Sequence, residues 1–523
     1  MSVVNQKRIA KNTALLYVRM LLIMAISLYT SRVIIDALGK VDYGLYNVIG
    51  TIVVNFSFLN GMLSSACSRY FAIELGRNND EGLKHVFSLN LTLFIILGCI
   101  ILLLSETIGL WFLNHKMVIP PDRMGAAQWV YQCSIIAFII NMLSTPYRSI
   151  IIAREKMKVF AYCSIVEAVL KLAIVFLLLL SPADKLITYS VLMLLITIGT
   201  CGFYFLYCRH CYAECRFSFI WDKPMIKEIL SYTGWNVIGI MSGIGKSAGV
   251  NVLLNMFGGA IINTARGIAY QVYVNINQFV TNFTTAFNPQ ITKTYSANAR
   301  DDMQNLVFQS SKFSYFLLFL LALPVILEMP YLLDLWLGEE NVVAHSVSFA
   351  RLMLIAALID SISYPLVTSI QATGNVKWYQ IMVGGTMLMV LPVSYVLLKF
   401  GDFEPEIVFY IIIAASVVAQ VFRVYFMRKQ LDMHIGLYCL RVLLPIGVVT
   451  IIPLAIVANI SANLDASFGN LVIVTLISMF ITITVIAIWG LTPSERKSIM
   501  QTISYKIKRC HMRIRILTFH RAH

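Results

Sequence analysis

The chain has 523 residues, of which 59% are hydrophobic and 13% charged, with a mean hydropathy of +0.77 and a formal net charge of +15. A water-soluble domain carries about 25% charged and roughly 45–50% apolar residues. A soluble enzyme is therefore excluded, and the chain is read as solvated by lipid.

A helix needs about 20 mainly apolar residues to cross a bilayer. About fourteen such runs follow in chain order: 12–35, 44–66, 88–112, 126–150, 159–180, 186–207, 229–256, 260–286, 312–335, 347–371, 376–399, 406–427, 438–459 and 467–491. They are too long and too uniformly apolar for barrel strands, so the expected class is all-α integral membrane. The first run follows Lys7, Arg8 and Lys11 but is too long for the core of a cleaved signal, and no small-residue cleavage site ends it. It reads as the first membrane helix. The stretch LGKVDYGLYNV at 38–48 then reads as a turn, with Gly39 closing one span, Gly44 opening the next, and Lys40 and Asp42 solvated.

Spans one to six form an expected N-lobe over 1–208, a linker follows at 209–228, and spans seven to twelve form a C-lobe over 229–429. Two extra helices fill 430–493, and a tail from Ser494 carries eight Lys and Arg. That tail reads as a helix on an anionic leaflet or as a topogenic signal. Cys208, Cys211 and Cys215 cluster beside His210 in RHCYAEC but lack a fourth zinc ligand, and read as plain thiols.

With the N-terminus inside, most of the 41 Lys and Arg fall in the tails and even-numbered loops, leaving Lys40, Lys116, Arg123, Lys185 and Lys399 in the opposite loops. The positive-inside rule then places both termini in the cytoplasm. It also accounts for the basicity without a nucleic-acid partner.

The chain contains a repeat. TPYRSIIIAREKMK, from Thr145, aligns with YPLVTSIQATGNVK, from Tyr364. Pro146 falls on Pro365, Ile151 on Ile370, Ala153 on Ala372 and Lys158 on Lys377. The same offset carries Leu38-Gly39 to Phe257-Gly258. Units of six spans share one orientation, the parallel-repeat layout of secondary transporters, with substrate bound between the halves.

The cations singled out within spans are Arg19, Arg32, Lys171, Lys246, Arg266 and Arg351. Each costs about 2.5–3.5 kcal/mol at a helix centre on insertion scales, so each needs a partner, a wet cavity or a route to the interface. Arg19 and Arg351 lie near span ends, where snorkelling accounts for them. Lys171 follows Glu167 by one helical turn, the favourable order for an ion pair. Arg32, Lys246 and Arg266, with Arg19, are the candidate substrate-binding cations. Asp36 shares a face with Arg32, and the repeat places Asn251 and Asn255 at the equivalent positions. Span seven is rich in glycine (Gly234, Gly239, Gly243, Gly245, Gly249), which permits close packing or a bend. Span eight carries Arg266, Tyr270, Tyr273 and Asn277 as one polar stripe, which lines a cavity or bonds to neighbouring helices. A cation-rich cavity suits a phosphate, and tyrosine and asparagine suit sugar hydroxyls.

No nucleotide-binding or hydrolase motif occurs, the outer loops are short, and the longest, NHKMVIPPDRMG, is about a dozen residues. No catalytic residue, cofactor or metal is expected.

Span one, LG-x-x-x-YG-x-Y, span two and SRYFAIELGRNN together resemble the start of polysaccharide transport proteins. These are the O-antigen and capsule flippases often called Wzx, of the multidrug/oligosaccharidyl-lipid/polysaccharide (MATE-like) exporter superfamily. The matching residues are Leu38, Gly39, Asp42, Tyr43, Gly44, Leu45 and Tyr46, then Arg69, Glu74, Leu75 and Gly76. The span count and paired halves are similar across nearly the whole chain. The resemblance implies a flippase that moves an undecaprenyl-pyrophosphate-linked oligosaccharide across the bacterial inner membrane by alternating access, for O-antigen, capsule or exopolysaccharide synthesis. It implies H+ or Na+ as a coupling ion, with Asp360 and Glu167 as candidate coupling residues, and glycan polymerases or glycosyltransferases as partners. Asn251 and Asn255 depart from the first half because they cannot titrate. The rival readings are an ion-coupled multidrug antiporter on the same scaffold and a membrane glycosyltransferase or polymerase, which the short outer loops disfavour.

Overall fold

The computed structural model describes residues 3–54, 57–115, 119–180, 184–338, 340, 342–401, 403–493 and 495–497. The side chains of Arg32, Asp36 and Lys40 lie outside the described part, as does most of the basic tail. All regular structure among the described residues is helical. In the first half α1 is Val3–Val54, α2 Ser57–Gly76, α3 Asp80–Leu104, α4 Leu110–His115, α5 Met124–Leu143, α6 Thr145–Ala153, α7 Met157–Leu180 and α8 Lys185–Cys211. In the second, α9 is Lys223–Ser296, α10 Arg300–Leu327, α11 Met329–Leu337, α12 Ser346–Ser361, α13 Tyr364–Thr373, α14 Lys377–Phe400 and α15 Ile407–Leu431. The chain continues as α16 Ile435–Tyr438, α17 Leu444–Ala462 and α18 Phe468–Val485. Because α8 runs to Cys211 and α9 starts at Lys223, the connection between halves is narrower than a linker over 209–228.

Among the described residues, ten helical stretches are long and apolar enough to cross a bilayer, and α12 with α13 make an eleventh, bent by 42°. The expected spans 12–35, 44–66 and 260–286 fall outside that set yet are helical wherever they are described. The last of them is the span that carries the polar stripe.

The stretch 38–48 corrects one expectation. It is helical throughout, inside α1, and not an open turn. It contains no proline, and each of its two glycines costs a helix only about 1 kcal/mol. The chain nevertheless reverses there. Asn12 donates to the Glu155 carbonyl and Arg19 lies against Ser164, so the first part of α1 climbs alongside α7. Asp42 pairs with Arg123 at the start of α5, and Asn60 accepts from Thr145 at its far end, so the following part descends along α5. Asp42 is therefore not solvated. It forms a corner with Arg123 and Asp184, with Arg123 Nη1 2.6 Å from Asp184 Oδ2. Burial works against ionisation of Asp184. The backbone N–H groups of Ile187 and Leu186 and the Arg123 guanidinium outweigh it and hold the carboxyl below its usual range.

In the second half the equivalent reversal breaks the backbone. Gly259 sits at φ 68°, ψ −164°, a conformation that favours glycine, and divides α9 into two arms. It directly follows Phe257-Gly258, where the repeat places the corner.

Other corners recur in pairs. α6 and α13 each start with a proline in their first turn, where the missing N–H costs nothing. Each is followed by a left-handed residue, Glu155 at φ 58° and Gly374 at φ 79°. Between α2 and α3, Asn78 at φ 54° closes a turn in which the N–H groups of residues 77, 78 and 79 donate to the carbonyls of 73, 75 and 74. Between α9 and α10, Asn298 at φ 56° closes the same turn, with 297, 298 and 299 donating to 293, 295 and 294. Two six-span repeats thus form two lobes.

α17 and α18 pack on α10 of the second lobe. Their far end is fastened by one buried ion pair. Lys312 Nζ lies 2.7 Å from Glu495 Oε2, with side-chain exposures of 2% and 7%. The same oxygen accepts from the Thr492 N–H at 2.8 Å, so Glu495 also caps the turn that follows the last span. Removing one member of a buried pair leaves the other charge unpaired and costs about 3–5 kcal/mol, while an apolar replacement of both is often neutral. Glu495→Gln is expected to destabilise the purified protein by an amount in that range. The double change Lys312→Met with Glu495→Leu is expected to restore most of it, as read by thermal unfolding in detergent.

Candidate functional site

The two arms of α9 face one another across Gly259 and, with α12 and α15, enclose a pocket of about 260 Å³. Its walls bring together Lys246, Arg266, Tyr270, Tyr273 and Asp360, residues far apart in the sequence. The glycines of the first arm allow close packing and cause no bend. A side chain at Gly239 would strike Gln380 and one at Gly249 would strike Leu391, both on α14. The break falls at Gly259 alone among the described residues of α9.

Arg266 clips the arms together through neutral partners. Its Nη1 donates to Asn251 Oδ1 at 3.1 Å, and its Nη2 to the Ser247 carbonyl at 2.9 Å and hydroxyl at 3.1 Å. The guanidinium also lies 5.9 Å from the Tyr270 ring centroid. Among the described residues Lys246 Nζ has one hydrogen-bond partner, Met387 Sδ at 3.5 Å, a weak acceptor. Asp360, at the end of α12, has Oδ1 3.9 Å from Arg423 Nη1 and without a hydrogen-bond partner. Arg423 is 8% exposed and donates from Nη1 to Ser363 Oγ at 2.8 Å. The pocket therefore holds two cations, Lys246 and Arg266, and one carboxylate, which already has Arg423 at 3.9 Å. Such an arrangement has capacity for an anion and none to spare for a cation.

The remaining sequence candidates lie elsewhere. Asn277 exchanges hydrogen bonds with the Tyr364 hydroxyl on α13 at 3.3 Å, so this end of the stripe joins helices. Asn255 is exposed. Arg19 belongs to the first lobe, where it reaches Ser164 Oγ at 3.5 Å and stacks on Phe160 at 4.6 Å. Glu167 and Lys171 form the expected pair, at 2.7 Å. Arg351 does not snorkel. It donates to the carbonyls of Ile326 and Leu327 at 2.8 and 3.2 Å and so satisfies the end of α10.

Two cations with notable placements escaped the sequence reading. Arg423 lies in VAQVFRVYF, inside a run already taken as a span, and its position alone marked it. Arg69 had significance only as part of a motif. It crosses between lobes to the Ala372 carbonyl, with Nε and Nη2 each at 3.3 Å. Nearby, Glu155 accepts from Gln290 at 2.6 Å and pairs with Lys293 at 2.9 Å. Tyr70 donates to Glu228 at 2.9 Å. These contacts hold the lobes together at the end of the molecule where α6 and α13 finish. Of the cysteine cluster, Cys208 is buried against the Tyr147 carbonyl, Cys215 is buried and Cys211 exposed. Among the described residues no group of three or more His, Cys, Asp or Glu is placed to hold a metal.

Residues 9–244 match the family model for polysaccharide biosynthesis proteins, and residues 246–396 match the MatE model. No curated protein sequence matches the chain. Among solved structures, an outward-facing multidrug resistance MATE family transporter of the MOP superfamily superposes with a TM-score of 0.68 at 14% identity, over 81% of this chain and 97% of that one. The MATE transporter ClbM in complex with Rb+ gives 0.67 at 14%, over 82% and 96%. A MOP superfamily transporter from Pyrococcus furiosus, described as having a binding pocket of reverse polarity that suggests a different function, gives 0.63 at 14%, over 81% and 97%. The fold is that of MATE transporters, and the two matched models, which adjoin within the first arm of α9, mark the chain as similar to polysaccharide biosynthesis proteins over its first part and to MatE proteins over its second.

Proposed function

We propose that this multi-pass membrane transporter moves a lipid diphosphate-linked oligosaccharide, carried on undecaprenol, across the bacterial inner membrane by alternating access, for O-antigen, capsule or exopolysaccharide synthesis. The observation that carries the reading is the surplus of Lys246 and Arg266 over Asp360 in one membrane-embedded pocket, with Arg423 a further cation 3.9 Å from that carboxylate. A diphosphate satisfies that surplus, and a cationic drug does not. The pocket of about 260 Å³ is small for a chain of sugars and adequate for the phosphates. The glycan would extend into the space between the lobes. The polysaccharide family model favours the same cargo, and a relative with reversed pocket polarity is described in terms of a different function. Asp360 is the counter-charge of Arg423 and Lys246 in this reading, because a Na+ ion beside it would meet two cations. The Lys- and Arg-rich loops support a cytoplasmic location for the Glu155 end of the molecule, where Glu155 and Arg69 join the lobes.

Charge-assisted hydrogen bonds contribute about 1.5–3 kcal/mol each. In a strain whose surface glycan depends on this protein, Arg266→Gln or Lys246→Gln is therefore expected to lower glycan display about tenfold or more at unchanged protein level. Full display from both variants would remove the pocket from the mechanism. A change in drug resistance with unaltered glycan would favour the antiporter.

The Asp360 and Arg423 side chains are also expected to be energetically coupled. In a double-mutant cycle of Asp360→Asn and Arg423→Met, the coupling read by thermal unfolding should reach about 0.5–3 kcal/mol, the range for groups sharing one network.

A further inference from the structure

Arg69 separates two cavities. On one side, between the lobes, lies a space of about 360 Å³ with Ser64, Ser68, Asn288 and Thr292 in its walls. On the other lies a vestibule of about 460 Å³ walled by Lys227, Lys377, Tyr232 and Trp235. Arg69 and Tyr232 line both. Arg69 and Tyr232 thus stand between the two spaces, with the guanidinium held between the Tyr70 ring at 4.7 Å and the Tyr232 ring at 4.9 Å.

That guanidinium is poorly satisfied. It has five N–H donors, and it makes two long bonds to a single neutral acceptor, the Ala372 carbonyl near the end of α13. Its buried Nη1 has no hydrogen-bond partner among the described residues. Gly374, left-handed and without a side chain, leaves the room that Arg69 fills. The vestibule it faces is also cationic. Lys377 lies against the Trp235 ring at 4.9 Å, and neither it nor Lys227 makes an ion pair with the described residues. Glu228 also lines the vestibule, and its carboxylate accepts from the Tyr70 hydroxyl at 2.9 Å, leaving Arg69, Lys227 and Lys377 in excess over it.

We infer that this vestibule is a binding site for a phosphate or diphosphate group, and that Arg69 leaves Ala372 to hold it, so that the arriving anion opens the contact between the lobes. An anionic acceptor that takes paired donors holds a guanidinium about twice as strongly as a neutral carbonyl does. The exchange therefore favours release of the α13 end, and the freed Nη1 gains the partner it lacks. Lys227 and Lys377 supply the attraction that fills the vestibule. The inference rests on the reading that the cargo carries a diphosphate, but the site is distinct from the Lys246 and Arg266 pocket. The group could equally belong to a bilayer phospholipid, which presents the same chemistry.

The test uses the full-length protein in phosphatidylcholine nanodiscs, titrated with inorganic pyrophosphate, with Trp235 emission taken as the difference from Trp235→Phe. The expected result is a saturable change whose midpoint weakens about tenfold in Arg69→Gln and in the surface variant Lys377→Gln, and is unmoved in Arg266→Gln. Repeating the titration with phosphatidylglycerol in the bilayer assigns the source. A response competed away identifies lipid phosphate as the occupant, and a retained response identifies the diphosphate. No saturable response, or wild-type behaviour in both Arg69→Gln and Lys377→Gln, overturns the site. Failure of the glycan-display experiment leaves this titration untouched, so the two readings fail separately.

Discussion

A charge inside a bilayer must find a partner within the protein, and the arrangement of this molecule follows from how each one does. Lys312 is closed by Glu495, Lys171 by Glu167, and Arg351 by the last carbonyls of α10. These groups are spent on structure. Arg266 has neutral hydrogen-bond partners, and Lys246 and Arg423 share the single carboxylate of Asp360. Arginine and lysine at membrane depth cost about 2.5–3.5 kcal/mol each on insertion scales. Retaining three of them around one Asp is intelligible if an anion completes the set.

The two repeats provide the second element, a moving boundary. Paired corners at Glu155 and Gly374 use the same left-handed geometry for different ends. In the first lobe the left-handed residue is a glutamate that reaches across to Gln290 and Lys293. In the second it is a glycine that makes room for Arg69 reaching the other way. Each lobe thus holds the other through the same corner. These polar contacts lie beside apolar ones between the lobes, such as Leu16 and Met157 packed with Ala286, and a closure of this kind must open during transport.

Much of this architecture was legible in the chain. The apolar runs marked the helices, and the shared prolines at 146 and 365 marked the repeat, because a proline in the first turn of a short helix is a local necessity. The Glu167–Lys171 pair was legible for the same reason: spacing within one helix fixes it. Asp42 was misread because its partner, Arg123, comes from a distant loop. Arg351 was misread as snorkelling because a helix end from another span supplies its acceptors. The polar stripe divided between two roles, Arg266 to Tyr273 lining the pocket and Asn277 bonding to Tyr364, since periodicity shows a face but not what the face meets. Arg423 and Arg69 were passed over because only the fold brings them to Asp360 and Ala372.

The central claim is that the cation-rich interior carries an anionic, lipid-linked glycan from one leaflet to the other. Its most direct measurement reconstitutes the purified protein in liposomes that contain a fluorescent undecaprenyl-diphosphate sugar. The fraction bleached by a membrane-impermeant reductant is then followed in time. The account predicts that the bleached fraction rises from the outer leaflet's share toward the whole in vesicles with the protein, and does so more slowly with Arg266→Gln. Bleaching that stops at the outer leaflet's share, in vesicles where the same protein expels a cationic dye, would contradict it.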